Sequence, residues 1–178
     1  LQKGIDNQNA NPPFLLISRE TVQFNAQSQY ALDVTQFQKL LAACPTHGDT
    51  PERQCAICVK NLQTAVSLYN GDFLAHFFIS DSPVFEQWVL PIRERLHQQA
   101  LQALQWLANY HENRGEYVQA LTYAQHETRL EPWREEPYQQ QMRLLARQGN
   151  RSAALVCYET CRRTLENELG VAPTAETT

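Results

Sequence analysis

Apolar residues recur along the chain with two periods, first near two and then near 3.6. Phe14 to Ile17 form a short apolar run. Polar Ser18-Arg19-Glu20 follow, then Thr21-Val22-Gln23-Phe24, where β-branched and aromatic residues stand among polar ones. This pattern predicts a β-hairpin with Arg19 at its tip. A two-stranded hairpin is marginal in water, so it needs a neighbour to pack on. Ahead of it, residues 1–13 are rich in Gln and Asn and end in Pro12-Pro13, which cannot continue a helix.

Beyond Phe24 the period is helical to the end. Asp33 and Gln36 have the spacing of a capping box ahead of Phe37, Leu40 and Leu41, predicting a helix over about 34–44 that Pro45 closes. After the loop His47-Gly48-Asp49, Thr50 reads as an N-cap with Pro51 at the first helical position. The helix it opens runs through Ile57, Leu62, Ala65, Val66 and Tyr69 to Asn70-Gly71. Ser82-Pro83 start another, in which Pro91 is expected to kink or break the backbone. From Ile92 the stripe continues through Leu96, Ala100, Leu104 and Leu107 to a stop at Gly115. Three more helices are predicted at about 117–130, 136–148 and 151–169. The fold class is all-α, with six or seven helices and a small N-terminal β-hairpin.

Internal similarity points to the architecture. Gly115 and Gly149 stand 34 apart, as do Ala120 and Ala154, and 34 residues is the period of the tetratricopeptide (TPR) helix-turn-helix unit. In that unit a glycine permits the sharp turn and a small alanine lets the second helix approach the first. Registers 101–134 and 135–168 carry supporting residues at Leu104, Leu107, Tyr117, Tyr138, Leu145 and Tyr158, with Glu131-Pro132 breaking the chain between them. Fewer than three repeats rarely stand alone, so the earlier helices must supply a further layer. The bland alternative is an antiparallel bundle with coincidental glycines. Trp88, Trp106 and Trp133 are expected in the core, and core packing is the favoured place for Phe77-Phe78-Ile79.

Composition narrows the function. Charged residues make up 19% of 178, and 20 Gln supply much of the polarity in their place. Residues 1–100 carry 7 Lys and Arg against 9 Asp and Glu, and residues 101–178 carry 8 against 10. Neither half has the clustered cations of a phosphate-binding surface. No apolar run reaches the roughly 18 residues of a membrane span, the first ten residues do not resemble a signal peptide, and a cytoplasmic location is expected. Met142 is the only methionine, so the chain reads as a piece of a longer protein.

Chemistry-bearing motifs are few. Cys55 and Cys58, with Cys157 and Cys161, supply four thiols in principle, but each pair falls at helical spacing, where Cys behaves as a small hydrophobe. The five His are scattered without metal-ligand spacing, and neither a nucleophile elbow nor a phosphate-cradling loop occurs. No catalytic residue, cofactor or metal is expected. Glu135-Glu136 and Glu94-Arg95 read as solvated helix faces.

Six stretches carry a resemblance: LDVTQF (32–37), LYNGDFL (68–74), WVLPIRERL (88–96), NRGEYVQAL (113–121), LEPWREEPY (130–138) and ARQGNRSAALVCYETCRRTLENELGVAP (146–173). In this order they resemble the bacterial transcriptional activator domain, a TPR-like module that follows a winged-helix DNA-binding domain in antibiotic-regulatory-protein type activators. ELGVAP is the most specific of them. PPFLLISRETVQFN (12–25) is similar to the terminal wing of such a DNA reader, and LQKGID (1–6) to the tail of its recognition helix. The resemblance implies a winged-helix remnant over 1–28, the activator module over 29–174 and a tail over 175–178. Cys at 55, 58, 157 and 161 departs from the family's small residues.

The resemblance implies a regulatory module that serves protein contact or self-association. Its partner would be a second copy, the DNA-binding domain or the transcription machinery, with DNA reached only through the upstream reader. The concave face of such a stack is lined by first-helix residues, here Gln102, Gln105, Asn109, Glu112, Glu136, Gln139 and Arg143, whose amides suit a peptide backbone. Arg19 would reach a phosphate in the longer protein. A TPR-like oligomerisation scaffold and a thiol or zinc protein are the alternatives; an upstream helix-turn-helix reader argues against the first, and metal content well below one equivalent against the second. The isolated chain is expected not to bind duplex DNA specifically. Sub-micromolar sequence-specific binding in a gel shift near physiological salt would contradict that.

Overall fold

The computed structural model describes residues 9–43, 56–77 and 79–178. Its elements are β1 (Leu15–Ile17), β2 (Val22–Phe24), α1 (Asp33–Ala42), α2 (Ala56–Leu68), α3 (Pro83–Asn113), α4 (Tyr117–Leu130), α5 (Glu135–Arg147) and α6 (Arg151–Leu169). The chain divides into two compact units, Leu1–Gln36 and Phe37–Thr178. The opening of the second predicted helix at Thr50-Pro51, the LQKGID segment, Cys44, Cys55 and Phe78 lie outside the described residues.

In the first unit β1 and β2 form an antiparallel pair with Leu15 opposite Phe24, Leu16 opposite Gln23 and Ile17 opposite Val22. Ser18 makes the turn: its Oγ accepts the Thr21 amide at 2.9 Å and lies 2.8 Å from Thr21 Oγ1. Asn25 closes the open end, donating from Nδ2 to the Pro13 carbonyl at 2.8 Å. Phe24 meets the Tyr30 ring edge-on at 4.7 Å. The capping box is not formed. The Asp33 carboxylate accepts the next amide, Val34, at 2.7 Å, and the Gln36 amide goes to the Leu32 carbonyl. Helix α1 thus starts one residue earlier than its spacing suggested.

In the second unit each helix from α2 to α6 packs on its neighbours in sequence, the arrangement of stacked antiparallel pairs. Val59, Leu62 and Val66 of α2 meet Ala103, Leu104 and Leu107 of α3 in one core cluster, and Tyr138, Cys161 and Leu165 form another between α5 and α6. Close approach rests on small residues: Ala65, Ala100, Ala108, Ala120 and Ala124 are completely buried. A larger side chain at any of them would push two helices apart.

Pro91 does not break the helix, since α3 runs through it for 31 residues. Proline at this point removes one donor, the amide that would bond the Gln87 carbonyl. Gln87 and Pro91 are both exposed, so the orphaned oxygen lies on the solvent side of the helix.

The two predicted glycine turns share the bonds made by the glycine and by the residue after it. At Gly115 (φ +74°) its amide donates to the Glu112 carbonyl and the Glu116 amide to His111; at Gly149 (φ +77°) the donors Gly149 and Asn150 meet Ala146 and Leu145. Every partner is shifted by 34. An added Cβ at either glycine meets nothing within 4 Å, so only the left-handed backbone demands glycine there. Gly115→Ala and Gly149→Ala should each destabilise the chain by about 1–2 kcal/mol without altering its helical content, measured by chemical unfolding with circular dichroism.

Candidate protein-interaction face

The first-helix face joins α3 to α5 through polar side chains. Gln140 donates to Asn109 Oδ1 at 2.9 Å and to Glu112 Oε2 at 2.8 Å, and Arg143 Nε donates to Glu112 Oε1 at 2.9 Å. Arg147 adds a third contact to Glu112 at 3.0 Å. The Glu112 side chain is 9% exposed. Burial opposes its charge, but the hydrogen bonds from Arg143 and Gln140 and the charges of Arg143 and Arg147 outweigh that and hold the carboxyl below its usual range. Three of the anticipated contact residues, Asn109, Glu112 and Arg143, therefore meet, and they serve to fasten two layers. Gln140, which the spacing did not single out, is buried at the centre. It was hidden by belonging to a run of three Gln.

Both Asn109–Gln140 and Glu112–Arg143 pair residues 31 apart, which fixes α3 and α5 as parallel neighbours. Continued toward the start of α5, the same offset sets Gln105 level with Glu136; Trp133 lies ahead of α5, where His97 of α3 meets Glu131 at an offset of 34. Gln102, Gln105 and Glu136 are exposed. Gln139 is turned aside: its amide donates to Thr177 Oγ1 at 2.8 Å.

Glu135 is no solvated face residue. Its carboxylate accepts the Thr174 amide at 3.0 Å and hydroxyl at 2.9 Å, and also the Thr177 hydroxyl. Some burial opposes its charge, yet these bonds hold it below the usual range. Residues 174–178 are thereby docked on the first turn of α5, with Thr177 buried. Beside this clamp lies a shallow depression of about 350 Å³, lined by Trp133, Arg134, Glu136 and Glu176 among others. Arg19 stands exposed at the hairpin tip in the other unit.

The apolar assignments divide. Trp106 packs against the α2–α3 core and stacks on Tyr110 at 5.4 Å. Trp88 and Trp133 do not join the core, at 52% and 48% exposure, and neither do Phe77 and Ile79. Each sits at a helix start or in a loop, where periodicity does not define an inner face.

The described cysteines act as packing groups. Cys58 is buried in α2, while Cys157 and Cys161 sit on α6 against Tyr138. Burial pushes both α6 thiols up to about 11, assisted at Cys161 by Glu135 and Cys157. Among the described residues no three His, Cys, Asp or Glu side chains gather as a metal site, and no helix is long and apolar enough to cross a membrane.

One buried carboxyl has the opposite character to Glu112. Glu127 of α4 is 2% exposed, and its Oε1 has no hydrogen-bond partner. Burial pushes it up to about 7 against the pull of Arg134, with Glu136 and Glu131 adding to the rise.

Comparison with known families places this geometry. The family model of the bacterial transcriptional activator domain matches residues 32–178, from the start of α1 through the docked C-terminal segment. No curated protein matches the chain.

The two carboxyls should leave opposite marks on stability. Glu127 is protonated more readily folded than unfolded, so its contribution is full near pH 4 and is lost as pH rises through 7, on the order of 3 kcal/mol. Glu127→Gln should flatten that decline. The Glu112 contribution is present above the usual carboxylate range and lost as pH falls, and Glu112→Gln should cost on the order of 1–3 kcal/mol at neutral pH. Thermal unfolding of both variants from pH 4 to 8 checks the signs.

Proposed function

We propose, from the premise that this chain belongs to the bacterial transcriptional activator domain family, that the module works by gripping a protein partner on the face where α3 and α5 run side by side. The family makes it a transcriptional activator module. What it touches follows from which face residues remain available. Asn109, Glu112 and Arg143 are consumed in holding the layers together, and Gln139 holds the C-terminal segment. Gln102, Gln105 and Glu136 stay exposed, and Trp133 stands exposed just ahead of α5.

That juxtaposition carries the reading. Two neutral amides offer donors and acceptors to an extended backbone at little desolvation cost. An exposed tryptophan beside a depression supplies the apolar anchor that most interfaces need near their centre. The mild acidity of the chain fits a partner-contacting half, with DNA contact left to a basic reader, and Arg19 would act there as an auxiliary phosphate contact.

The test is transcription from a target promoter in cells carrying the intact regulator. Trp133→Ala combined with Gln102→Ala and Gln105→Ala should lower activation at least about tenfold, the loss of roughly 1.4 kcal/mol or more of contact energy. Protein level and promoter occupancy should not change. Full activation by the triple variant would contradict the reading.

A further inference from the structure

Resting on the reading that the face of α3 and α5 takes a protein segment, we infer that this segment is acidic and that one of its side-chain carboxylates seats on the paired guanidinium groups of Arg143 and Arg147. Both arginines lean on one carboxylate. Arg143 meets Glu112 along a single edge, Nε to Oε1 at 2.9 Å and Nη2 to Oε2 at 3.2 Å, and Arg147 meets the same Oε1 through Nη1 at 3.0 Å. Two positive charges are thus held beside one negative charge. The Glu112 side chain is nearly buried, while those of Arg143 and Arg147 are 49% and 48% exposed.

Fastening the layers leaves donors over. A guanidinium presents its N–H bonds along two edges, and Arg143 spends the Nε edge on Glu112 while the other, Nη1 with Nη2, finds no acceptor among the described residues. Arg147 keeps Nε and Nη2 in the same way. A carboxylate matches such an edge with two parallel hydrogen bonds. The two side chains are already immobilised, Arg143 by Glu112 and Arg147 by Glu112 and by the Tyr117 ring, whose centre is 5.9 Å from its guanidinium carbon. An incoming acid therefore meets donors that have little freedom left to lose.

The distribution of charge along the face sets the chemistry of the occupant and its register. Arg151 follows Arg147 across the Gly149 turn, exposed and without an ion pair among the described residues. Glu116, the next acid after Glu112, is held by Arg114 and His111 and does not answer these cations. At the other end of α5 Glu136 is exposed and faces Arg134 at 3.5 Å, so a basic segment has no comparable seat. From Glu136 to Arg147 the helix rises about 16 Å, the span of about five extended residues. An acid is repelled at the first and drawn to the second, so the segment places its carboxylate at the end of α5 and runs back toward Gln105. The chain as a whole carries a net charge of -4. An acidic segment that binds it is therefore held by local geometry, against the average field.

Fluorescence anisotropy tests this, with the full chain titrated onto a fluorescein-labelled, amidated peptide of alternating glycine and glutamate and onto the same peptide with glutamine in place of glutamate. The expected dissociation constant for the glutamate peptide is about 10–300 μM at about 50 mM salt, at least about tenfold tighter than for the glutamine peptide. Arg147→Ala and Arg143→Lys should each weaken binding at least about fivefold, the second because lysine keeps the pair with Glu112 but has no second edge. Arg163→Ala, in a separate depression on α6 beside Leu155 and Val156, should leave binding unchanged. Arg147 is the last residue of α5, so Arg147→Ala decides the matter if Arg143→Lys disturbs folding. Equal binding of the two peptides, equal weakening by Arg147→Ala and Arg163→Ala, or tighter binding of a labelled single-stranded oligothymidylate than of the glutamate peptide overturns the inference. The reading of the face itself stands or falls on activation by the Gln102, Gln105 and Trp133 triple variant, which leaves both arginines in place, so the two fail separately.

Discussion

The left-handed turn at Gly115, repeated 34 residues later at Gly149, is the constraint on which the stack depends. A helix end leaves carbonyls unpaired, and these turns satisfy them with the amides of the glycine and of the residue after it while reversing the chain. Because the reversal takes so few residues, the next helix has to lie directly against the last. Only alanine-sized side chains fit along much of that contact, which is why Ala120 and Ala124 are wholly buried. The turn, the small residues and the antiparallel pair are thus one physical requirement seen at three levels.

Between pairs the joining forces change character. Core clusters of ordinary apolar type bind α2 to α3 and α5 to α6, and α5 also meets α3 and α4 through buried amides. Gln140 reaches Asn109 and Glu112, while Gln141 donates to the Ala124 carbonyl at 3.1 Å and to Thr128. Such bonds add modest net stability but fix register, since a slipped pairing would leave buried polar groups without partners. Three of the 20 glutamines, Gln139, Gln140 and Gln141, are therefore structural. Gln102, Gln105 and Glu136, by contrast, stay exposed on α3 and α5.

Most of the fold was legible because amphipathic period and turn chemistry are local. The last three helices lie within a residue of their expected bounds, and the hairpin strands fall where the alternation placed them. The failures have local causes too. Asp33 bonds its nearest amide in place of the Gln36 amide, since a short carboxylate chooses among donors by geometry that spacing does not record. Pro91 was expected to kink or break its helix, but α3 continues through it, with the orphaned carbonyl on the solvent side. Glu135 looked solvated because its partners, Thr174 and Thr177, are 39 and 42 residues away.

The sequence by itself determined the helical class, the 34-residue period and the family resemblance. Periodicity reports which side of an element is apolar, and motifs report local backbone. Tertiary structure alone decided which of the first-helix residues are spent internally and which remain outside. Glu112 and Gln102 have the same standing along the chain, one helical face apart by ten residues. Only the arrival of Gln140, Arg143 and Arg147 from α5 makes the first a fastener between layers, while the second stays exposed. The same holds for the aromatic residues: Trp106 is covered because α2 lies over its part of α3, while Trp88 stays exposed on the amino-terminal half of that same helix.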